Sequence, residues 1–529
     1  MALVKFKDFS FKYQEKKILS NINLEVEEGD FLLFCGPSGS GKTTLLSNVK
    51  KELMDDGECD GEVTFDSVNI KDLDDKQSAS DIGFLFQNPD NQLVTDTVIQ
   101  EIAFPLENIG MKTEDIRNRV AEMTAFFGID KLLYKNVNEL SGGQKQLVNL
   151  CSLLVLKPKL LLLDEPTSQL DPIASYDFLT MLRRLNEEFS ITIMISEHKT
   201  DNIFPFVDKV VFLEDGIIKY SNQTHDIIEK VMNDKLFNYY LPDVSKIIFL
   251  LHEKYHELKD DKIAISIREG IKALNKIDKL ESYPKKEKSA LDGTYPFFNN
   301  EELIVSKGIY FAYTKEYILL KDIYLSIKSG EFISIIGGNG TGKTTFLQLI
   351  AGLLKPLKGK ISRKKGIKIA YLYQNPIIHF SKETVKEELL LDDEKDLNSD
   401  TINLIEFFNV SHLISQNPYD CSGGEQQKIA IIKMLIKKPD VLVLDEPTKG
   451  LDPISKSNLG DKLKVLQESG LTIIMTSHDL SFVANYCKRC VMIFDGGIHV
   501  DNNPKEIFAD NNFYTTFVNR LIKDYIPDG

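Results

Sequence analysis

Phe31-Leu32-Leu33-Phe34-Cys35-Gly36-Pro37-Ser38-Gly39-Ser40-Gly41-Lys42-Thr43-Thr44 is an apolar run followed by a glycine-rich loop. The apolar run predicts a buried strand, and the loop fits G-x-x-x-x-G-K-[ST], a pattern that opens a helix and cradles phosphate. Glycines let the backbone approach an anion closely, while the loop N–H groups and the helix N-terminus face it. We therefore expect an α/β nucleotide-binding domain in which Lys42 contacts the β- and γ-phosphates of ATP and Thr43 holds Mg²⁺.

The pattern occurs a second time as Gly337-Gly338-Asn339-Gly340-Thr341-Gly342-Lys343-Thr344-Thr345, again after an apolar run. Lys343 follows Lys42 by 301 residues, and other polar residues recur in the same order at separations of 280 to 287 residues. The recurring pairs are Gln87 and Gln374, Ser141 and Ser422, Asp164 and Asp445, and His198 and His478. We predict two nucleotide-binding domains fused head to tail, residues 1–243 and 301–529, with a helical extension and linker at 244–300.

Carboxylates follow a second apolar run in each half. Asp164-Glu165 comes directly after four leucines, and Asp445-Glu446 follows a similar run. Parallel strands gather ligands beyond their carboxyl ends, so we expect each aspartate to order the metal there. Neighbouring strand residues face opposite sides, which predicts that Glu165 and Glu446 point away from the aspartates. Each glutamate would then orient and deprotonate the water that attacks the γ-phosphate.

Composition narrows the class of protein. The 529 residues predict two to four domains, and the formal charge of −15 disfavours a general nucleic-acid binder, which needs a basic surface. No apolar run reaches the roughly 18 residues of a membrane helix, and the start of the chain shows no secretory leader. The six cysteines form no framework, which is typical of a reducing compartment. These features predict a cytosolic chain.

Leu140-Ser141-Gly142-Gly143-Gln144 and Cys421-Ser422-Gly423-Gly424-Glu425 resemble the signature sequence of ATP-binding-cassette (ABC) ATPases. The resemblance covers nearly all of residues 1–243 and 300–529. It implies two cassettes, each with a parallel-sheet core, an antiparallel β subdomain and a helical subdomain, that use ATP and Mg²⁺. Both signature serines are also predicted helix caps, whose helix N-termini would offer amides to a phosphate.

The family resemblance assigns roles to the recurring residues. In the family, two ATP molecules are held head to tail, each between the glycine loop of one half and the signature of the other. The first set would be Lys42, Gln87, Asp164, Glu165 and His198 with Ser422, Gly423 and Gly424. The second set would be Lys343, Gln374, Asp445, Glu446 and His478 with Ser141, Gly142 and Gly143.

Within these sets, the resemblance implies that Mg²⁺ is held by Thr43, Gln87 and Asp164, and by Thr344, Gln374 and Asp445. The histidines match the family's switch histidine, which contacts the γ-phosphate. Tyr13 and Tyr313 match its adenine-stacking aromatic residue, although packing alone could account for either. Because both halves retain glutamate and histidine, we expect two competent ATPase sites.

The segment Gln87-Asn88-Pro89-Asp90-Asn91-Gln92-Leu93 resembles that of the ATPase subunits of energy-coupling-factor importers, which take up vitamins and transition-metal ions. The resemblance implies a peripheral subunit on the cytoplasmic side of the cell membrane, with a transmembrane scaffold and a substrate-capture membrane protein as partners and no nucleic acid. The alternative is a soluble tandem-cassette factor that acts on ribosomes. Such factors have a strongly charged helical linker, whereas residues 244–300 are mixed and partly apolar.

Residues 244–283 carry a helical period in which Ile263, Ile267, Ile271, Leu274 and Ile277 share one face. They predict an accessory helical pair before the linker. Within this region, His252-Glu253-Lys254-Tyr255-His256 fits the zinc-protease pattern H-E-x-x-H, but no third ligand is evident.

Overall fold

A computed structural model describes residues 2–14, 16–54, 56–258, 261–277, 301–314, 317–391, 396–511, 514–523 and 525. The chain forms two compact units, Met1–Lys276 and Ile277–Gly529. Residues 278–300 of the predicted extension and linker lie outside the described residues. The predicted division at 243 and 300 stays a prediction.

The first unit contains ten strands: β1 (Ala2–Tyr13), β2 (Lys16–Glu27), β3 (Phe31–Cys35), β4 (Glu58–Phe65), β5 (Val68–Asn69), β6 (Ile82–Leu85), β7 (Leu160–Asp164), β8 (Thr192–Ser196), β9 (Lys209–Glu214) and β10 (Ile217–Gln223) among its described residues. Its helices are α1 (Lys42–Ser47), α2 (Asp75–Asp81), α3 (Val98–Asn108), α4 (Thr113–Phe127), α5 (Gly142–Leu154), α6 (Pro172–Phe189), α7 (Thr200–Ile203), α8 (Thr224–Val231), α9 (Asp243–Lys254) and α10 (Ile267–Leu274).

The second unit repeats this order with strands β11 (Glu302–Phe311), β12 (Leu320–Lys328), β13 (Phe332–Ile336), β14 (Lys358–Arg363), β15 (Ile369–Leu372), β16 (Val441–Leu444), β17 (Thr472–Thr476), β18 (Arg489–Phe494) and β19 (Gly497–Asn502). Its helices are α11 (Lys343–Ala351), α12 (Val385–Glu388), α13 (Ser399–Phe407), α14 (Gly423–Leu435), α15 (Pro453–Glu468), α16 (Leu480–Tyr486), α17 (Pro504–Asp510) and α18 (Phe517–Ile522).

Each unit has a six-stranded, mostly parallel sheet beside a smaller antiparallel sheet. The large sheets have the orders β10-β9-β3-β8-β7-β6 and β15-β16-β17-β13-β18-β19, with β10 and β19 antiparallel to their neighbours. The small sheets are β2-β1-β4-β5 and β12-β11-β14. Helices α3, α4 and α5 pack on one another as the helical subdomain of the first unit. The predicted fold class is therefore confirmed.

Central strand β3 explains the position of the glycine loop. It pairs in parallel with β8 on one side and with β9 on the other. Every residue of β3, β7 and β8 is buried, as in a parallel sheet covered on both faces, whose strands are near-continuous apolar runs. The loop after β3 and the polar residues after β7 and β8 therefore meet at one edge of the sheet.

The carboxyl-terminal segment of the first unit differs from the prediction. Helix α10 covers only Ile267–Leu274, because Ser266 caps it in an extended conformation and accepts a hydrogen bond from the N–H of Glu269. Ile263 and Ile277 lie outside this helix, although both are buried. The continuous helical face expected from 263 to 277 is thus wrong at both ends; Ile263, Leu274 and Ile277 are buried, and Ile267 and Ile271 are half-buried.

Neither the H-E-x-x-H pattern at residues 252–256 nor the cysteines form a metal site among the described residues. Helix α9 ends at Lys254, so His252 and His256 do not share the helical face that the zinc-protease pattern needs. Among the described residues, no three His, Cys, Asp or Glu side chains group as metal ligands. All six cysteines are free thiols, five of them buried. No described helix combines the length and apolarity needed to cross a membrane.

Candidate nucleotide sites

The two glycine loops connect a buried strand to a helix, as the sequence predicts. The first runs from the end of β3 at Cys35 to Lys42, the first residue of α1, and the second runs from β13 to α11 in the same way. A Cβ atom on Gly36 would lie 2.2 Å from the carbonyl oxygen of Leu213, so the loop passes too close to strand β9 for any side chain. Gly41 has φ of 97°, a left-handed conformation that favours glycine.

Both loop lysines are buried against their own loops. Lys42 Nζ donates to the carbonyl oxygens of Gly36 and Pro37 at 2.8 and 2.9 Å. Lys343 Nζ donates to those of Gly337 and Gly338 at 3.0 and 2.8 Å. The two ammonium groups therefore lie at the mouth of a loop whose amides can face a phosphate, which is the position that the predicted role requires.

A threonine and an aspartate form the candidate metal pair in each unit. Thr43 Oγ1 lies 2.9 Å from Asp164 Oδ2, and Thr344 Oγ1 lies 3.1 Å from Asp445 Oδ1. The hydroxyl of Ser196 also donates to Asp164 at 2.7 Å. Burial raises the pKa of the Asp164 carboxyl, although the hydrogen bonds from Ser196 and Thr43 oppose this effect.

The chemistry of this pair fits Mg²⁺. A hydroxyl and a carboxylate are hard oxygen ligands, and Mg²⁺ in nucleotide sites is typically held by one or two such groups besides phosphate oxygens. The hydrogen bond from Ser196, and in the second unit the one from Thr476 to Asp445 at 2.7 Å, orient the carboxylates from outside the pair.

Each predicted catalytic glutamate lies between the glutamine and the histidine of its unit. Gln87 Nε2 donates to Glu165 Oε2 at 2.8 Å, and His198 Nε2 lies 2.7 Å from Glu165 Oε1. In the second unit, Gln374 and His478 approach the two oxygens of Glu446 at 2.8 and 2.9 Å. The glutamine thus meets the glutamate through Nε2, and its amide oxygen is the atom available to a metal.

The direction of these glutamates has a different cause from the one expected. Glu165 lies just beyond β7 with φ of 43°, and Glu446 lies beyond β16 with φ of 49°. Strand alternation therefore does not separate them from the aspartates. The left-handed turn at each glutamate separates it from the aspartate. In the first unit, the N–H of Glu165 donates to the carbonyl and hydroxyl oxygens of Ser196 at 3.1 Å. Such strained residues persist only where surrounding contacts hold them.

The electrostatics of the second site are set by cations. Burial alone would raise the pKa of Glu446, but the contact with His478 and the charges of Lys449 and Lys343 outweigh it and lower the pKa to about 2. Lys449 is itself half-buried, and burial lowers its pKa. Ser168 has the corresponding place in the first unit, so this cation is a difference between the two halves.

The signature serines cap helices, as predicted. Ser141 Oγ accepts from the N–H of Gln144 at 3.3 Å, and Gln144 Oε1 accepts from the N–H of Ser141 at 3.0 Å, which closes a capping box. Ser422 forms the same box with Glu425 before helix α14. The contribution of these helix N-termini to a phosphate stays a prediction.

The two aromatic residues have different surroundings. Tyr13 packs edge-on against Phe11 at the rim of the core. Tyr313 is 65% exposed, and its hydroxyl lies 3.0 Å from Thr345 Oγ1, next to the second loop. Tyr313 also packs edge-on against Phe311, as Tyr13 does against Phe11, and both assignments stay predictions.

Sequence reasoning missed two polar residues near the sites. Tyr371 of β15 donates its hydroxyl to Asp445 at 3.2 Å, whereas the first unit has Phe84 at that position. Glu197, which precedes His198, is almost fully buried and accepts two hydrogen bonds from Thr167. A charged residue directly after a short β-branched and apolar run is the signal that could have found Glu197.

Known proteins resemble this chain over its whole length. A family profile described as ABC transporter matches residues 19–168 and 320–449. A protein of Bacillus thuringiensis, provisionally described as an ABC transporter ATP-binding protein, is 39% identical over 546 aligned positions that cover 100% of this chain and 96% of its own.

Two solved structures align with this chain over different shares of its length. An archaeal ribosome recycling factor, aABCE1, crystallised with the ribosomal stalk protein aP1, aligns over 94% of this chain and 90% of its own, with a TM-score of 0.59 and 21% identity. At this identity the likeness concerns the fold. CbiO1 from Clostridium perfringens, described as part of the ABC transporter complex CbiONQ, aligns over 44% of this chain and 96% of its own, with a TM-score of 0.40 and 30% identity.

Proposed function

The chain belongs to the ABC transporter family and is an ATP-hydrolysing tandem cassette protein, and from this premise we propose that it powers an importer of the energy-coupling-factor type. The substrate would be a micronutrient, namely a vitamin, a vitamin precursor or a transition-metal ion. The observation that carries the proposal is the segment Gln87 to Leu93, which resembles that of such ATPase subunits and follows strand β6 at the edge where the site residues meet. The description of the full-length Bacillus relative as a transporter protein supports it.

We propose the same roles for the paired residues of each unit. Lys42 and the loop amides bind the phosphates of ATP, and Thr43 and Asp164 hold Mg²⁺, which neutralises charge that develops on the phosphates. Glu165 accepts a proton from the attacking water, and its position is set by Gln87 and His198, which hold one carboxylate oxygen each. The left-handed turn directs this base away from the metal pair, so the two carboxylates serve different tasks.

The proposed partners are a transmembrane scaffold and a substrate-capture membrane protein. The chain would attach peripherally to the scaffold on the cytoplasmic side of the cell membrane. The second unit would couple differently, because Ile377, Ile378 and His379 replace the acidic, amide and glutamine positions of the first-unit segment.

The alternative function, action on ribosomes, is compatible with the same tandem fold, so a test must identify partners. The tagged chain would be purified from gently solubilised membranes, with a Glu165→Gln/Glu446→Gln double variant as a matched control for turnover. We expect hydrophobic subunits to copurify with both chains, and reconstitution of those subunits in vesicles to stimulate ATP hydrolysis only with the unsubstituted chain. Copurification of ribosomal proteins without membrane subunits would overturn the importer in favour of the alternative.

A further inference from the structure

Glu197 is a buried carboxylate beside the first site with no equivalent in the second. It is 2% exposed and lies between the last residue of β8 and His198. Its Oε1 accepts hydrogen bonds from the N–H and the hydroxyl of Thr167 at 2.9 and 2.7 Å. Its Oε2 lies 3.3 Å from the N–H of His198. A buried carboxylate is costly unless it is well hydrogen-bonded, so these contacts define what it does.

These hydrogen bonds close a ring around the proposed base. Thr167 follows Glu165 by two residues, and His198 contacts Glu165 at 2.7 Å. One side of the ring is the chain from Glu165 to Thr167, and the other side is the contact from Glu165 to His198. Glu197 joins the two sides, because it binds Thr167 through its side chain and adjoins His198 in sequence.

We infer that Glu197 is a positioning residue of the first ATPase site, which holds the loop of Glu165 and the backbone of His198 in register so that base and histidine stay in contact. This inference rests on the proposed roles of Glu165 and His198. Glu197 is too deeply buried to touch ATP, so its action passes through Thr167 and His198. The left-handed conformation of Glu165 is held by its surroundings, and the contact of Glu197 with Thr167 is one part of them.

The second unit provides an internal comparison. Ser477 replaces Glu197, and its hydroxyl accepts from the N–H of Asp479 at 3.0 Å. Asp479 in turn forms an ion pair with Lys456 at 2.9 Å. The histidine loop of the second unit is therefore fixed by a local turn and a partly buried ion pair, and no hydrogen bond from a carboxylate to Thr448 is seen among the described residues. The two sites should respond differently to loss of this residue.

The electrostatic setting agrees with a tight internal contact. Burial raises the pKa of Glu197, while the two hydrogen bonds from Thr167 and the charge of Lys199 oppose that rise. The negative charge of Glu165 raises it further. Glu197 keeps its hydrogen bonds to Thr167 although the negative charge of Glu165 is nearby. It therefore restrains the segments of Thr167 and His198 whether its carboxyl is protonated or ionised.

The test measures first-site turnover in the Glu446→Gln background, which removes the base of the second unit. Glu197→Ser installs the residue of the second unit, and Glu197→Gln keeps a carbonyl acceptor for Thr167. We expect Glu197→Ser to lower kcat by about 10- to 100-fold while the ATP dissociation constant changes less than about twofold. Glu197→Gln should recover kcat to within about threefold of the background. Glu122→Ser, at an exposed position of helix α4 and measured in the same Glu446→Gln background, is the matched control and should leave kcat unchanged.

Thr167→Val separates positioning from a loss of folding. It removes the hydroxyl that donates to Glu197 and keeps the shape of the side chain, so it should lower kcat in the same direction. Combined with Glu197→Ser, it should add almost nothing, because residues that act through one contact are not additive. Additive losses, an unchanged kcat in Glu197→Ser, or equal losses of kcat and ATP affinity in both Glu197 variants would overturn the inference. Full turnover of the Glu165→Gln/Glu446→Gln chain would instead refute the proposed bases.

Discussion

Replacement of Glu446 by glutamine is the sharpest test of the proposed chemistry. Gln374 Nε2 donates to one oxygen of this carboxylate at 2.8 Å, and His478 Nε2 lies 2.9 Å from the other oxygen. Its pKa of about 2 means that it is ionised at neutral pH, so the hydrogen bond from Gln374 is assisted by charge. A glutamine has one carbonyl oxygen and one NH₂ group, so it keeps at most one of these two contacts and lacks the negative charge that strengthens it.

The structure gives a magnitude for both stability and turnover. Loss of one hydrogen bond to a charged group costs about 1.5–3 kcal/mol in the free energy of unfolding. In a unit of this size, each kcal/mol shifts the unfolding midpoint by roughly 2–4 °C, so we expect a decrease of about 3–12 °C for the second unit. Loss of a general base lowers turnover at that site by about 10²- to 10⁴-fold. The effect on catalysis should therefore far exceed the effect on folding.

Phosphate release would be measured for Glu446→Gln, Glu165→Gln and the double variant, with nucleotide retention and thermal unfolding followed in parallel. Glu406→Gln, on the exposed face of α13, is the control for loss of one surface charge. Each single variant should keep the turnover of the other site, and the double variant should retain bound ATP with little hydrolysis. Hydrolysis at the unsubstituted rate in the double variant would refute the assignment of both bases.

Three further predictions concern other parts of the sites. Lys42→Ala removes the ammonium group that lies over the first loop, so ATP bound per chain should fall by half in equilibrium binding with a fluorescent nucleotide; undiminished binding would contradict its role. Gly36→Ala places a Cβ 2.2 Å from the Leu213 carbonyl oxygen and should lower the free energy of unfolding by about 1–3 kcal/mol. Urea titration measures this loss, and an unshifted midpoint would contradict it. His379 accepts from the N–H of Tyr373 at 3.1 Å and must be neutral to do so, and its pKa is lowered by burial and by two nearby lysines. The stability from this contact is present above pH about 6.5 and is lost as the pH falls. His379→Gln should therefore reduce the difference between the unfolding midpoints at pH 7.5 and 5.5. An unaltered difference would exclude His379 as the source of this pH dependence.

Local sequence was sufficient to predict the glycine loops and the strand and helix on either side of each. The apolar runs, the glycine pattern and the Ser141 cap act over a few neighbouring residues, so their structure follows from short-range sterics and hydrogen bonds. The repeated order of the motifs predicted a two-cassette architecture, because each motif belongs at the carboxyl end of a parallel strand. The ends of helix α10 were predicted less well, since Ser266 caps the helix and both Ile263 and Ile277 are buried outside it.

The arrangement around the base depended on contacts that are distant in the chain. Gln87 reaches Glu165 across 78 residues, and Thr167 reaches Glu197 across 30. Strand alternation gave the wrong reason for the direction of Glu165, because its left-handed turn is held by hydrogen bonds to Ser196 on the neighbouring strand. A sequence lists the residues that can make such contacts, but the pairing of β7 with β8 brings these segments together, and only that long-range packing determines which atoms meet.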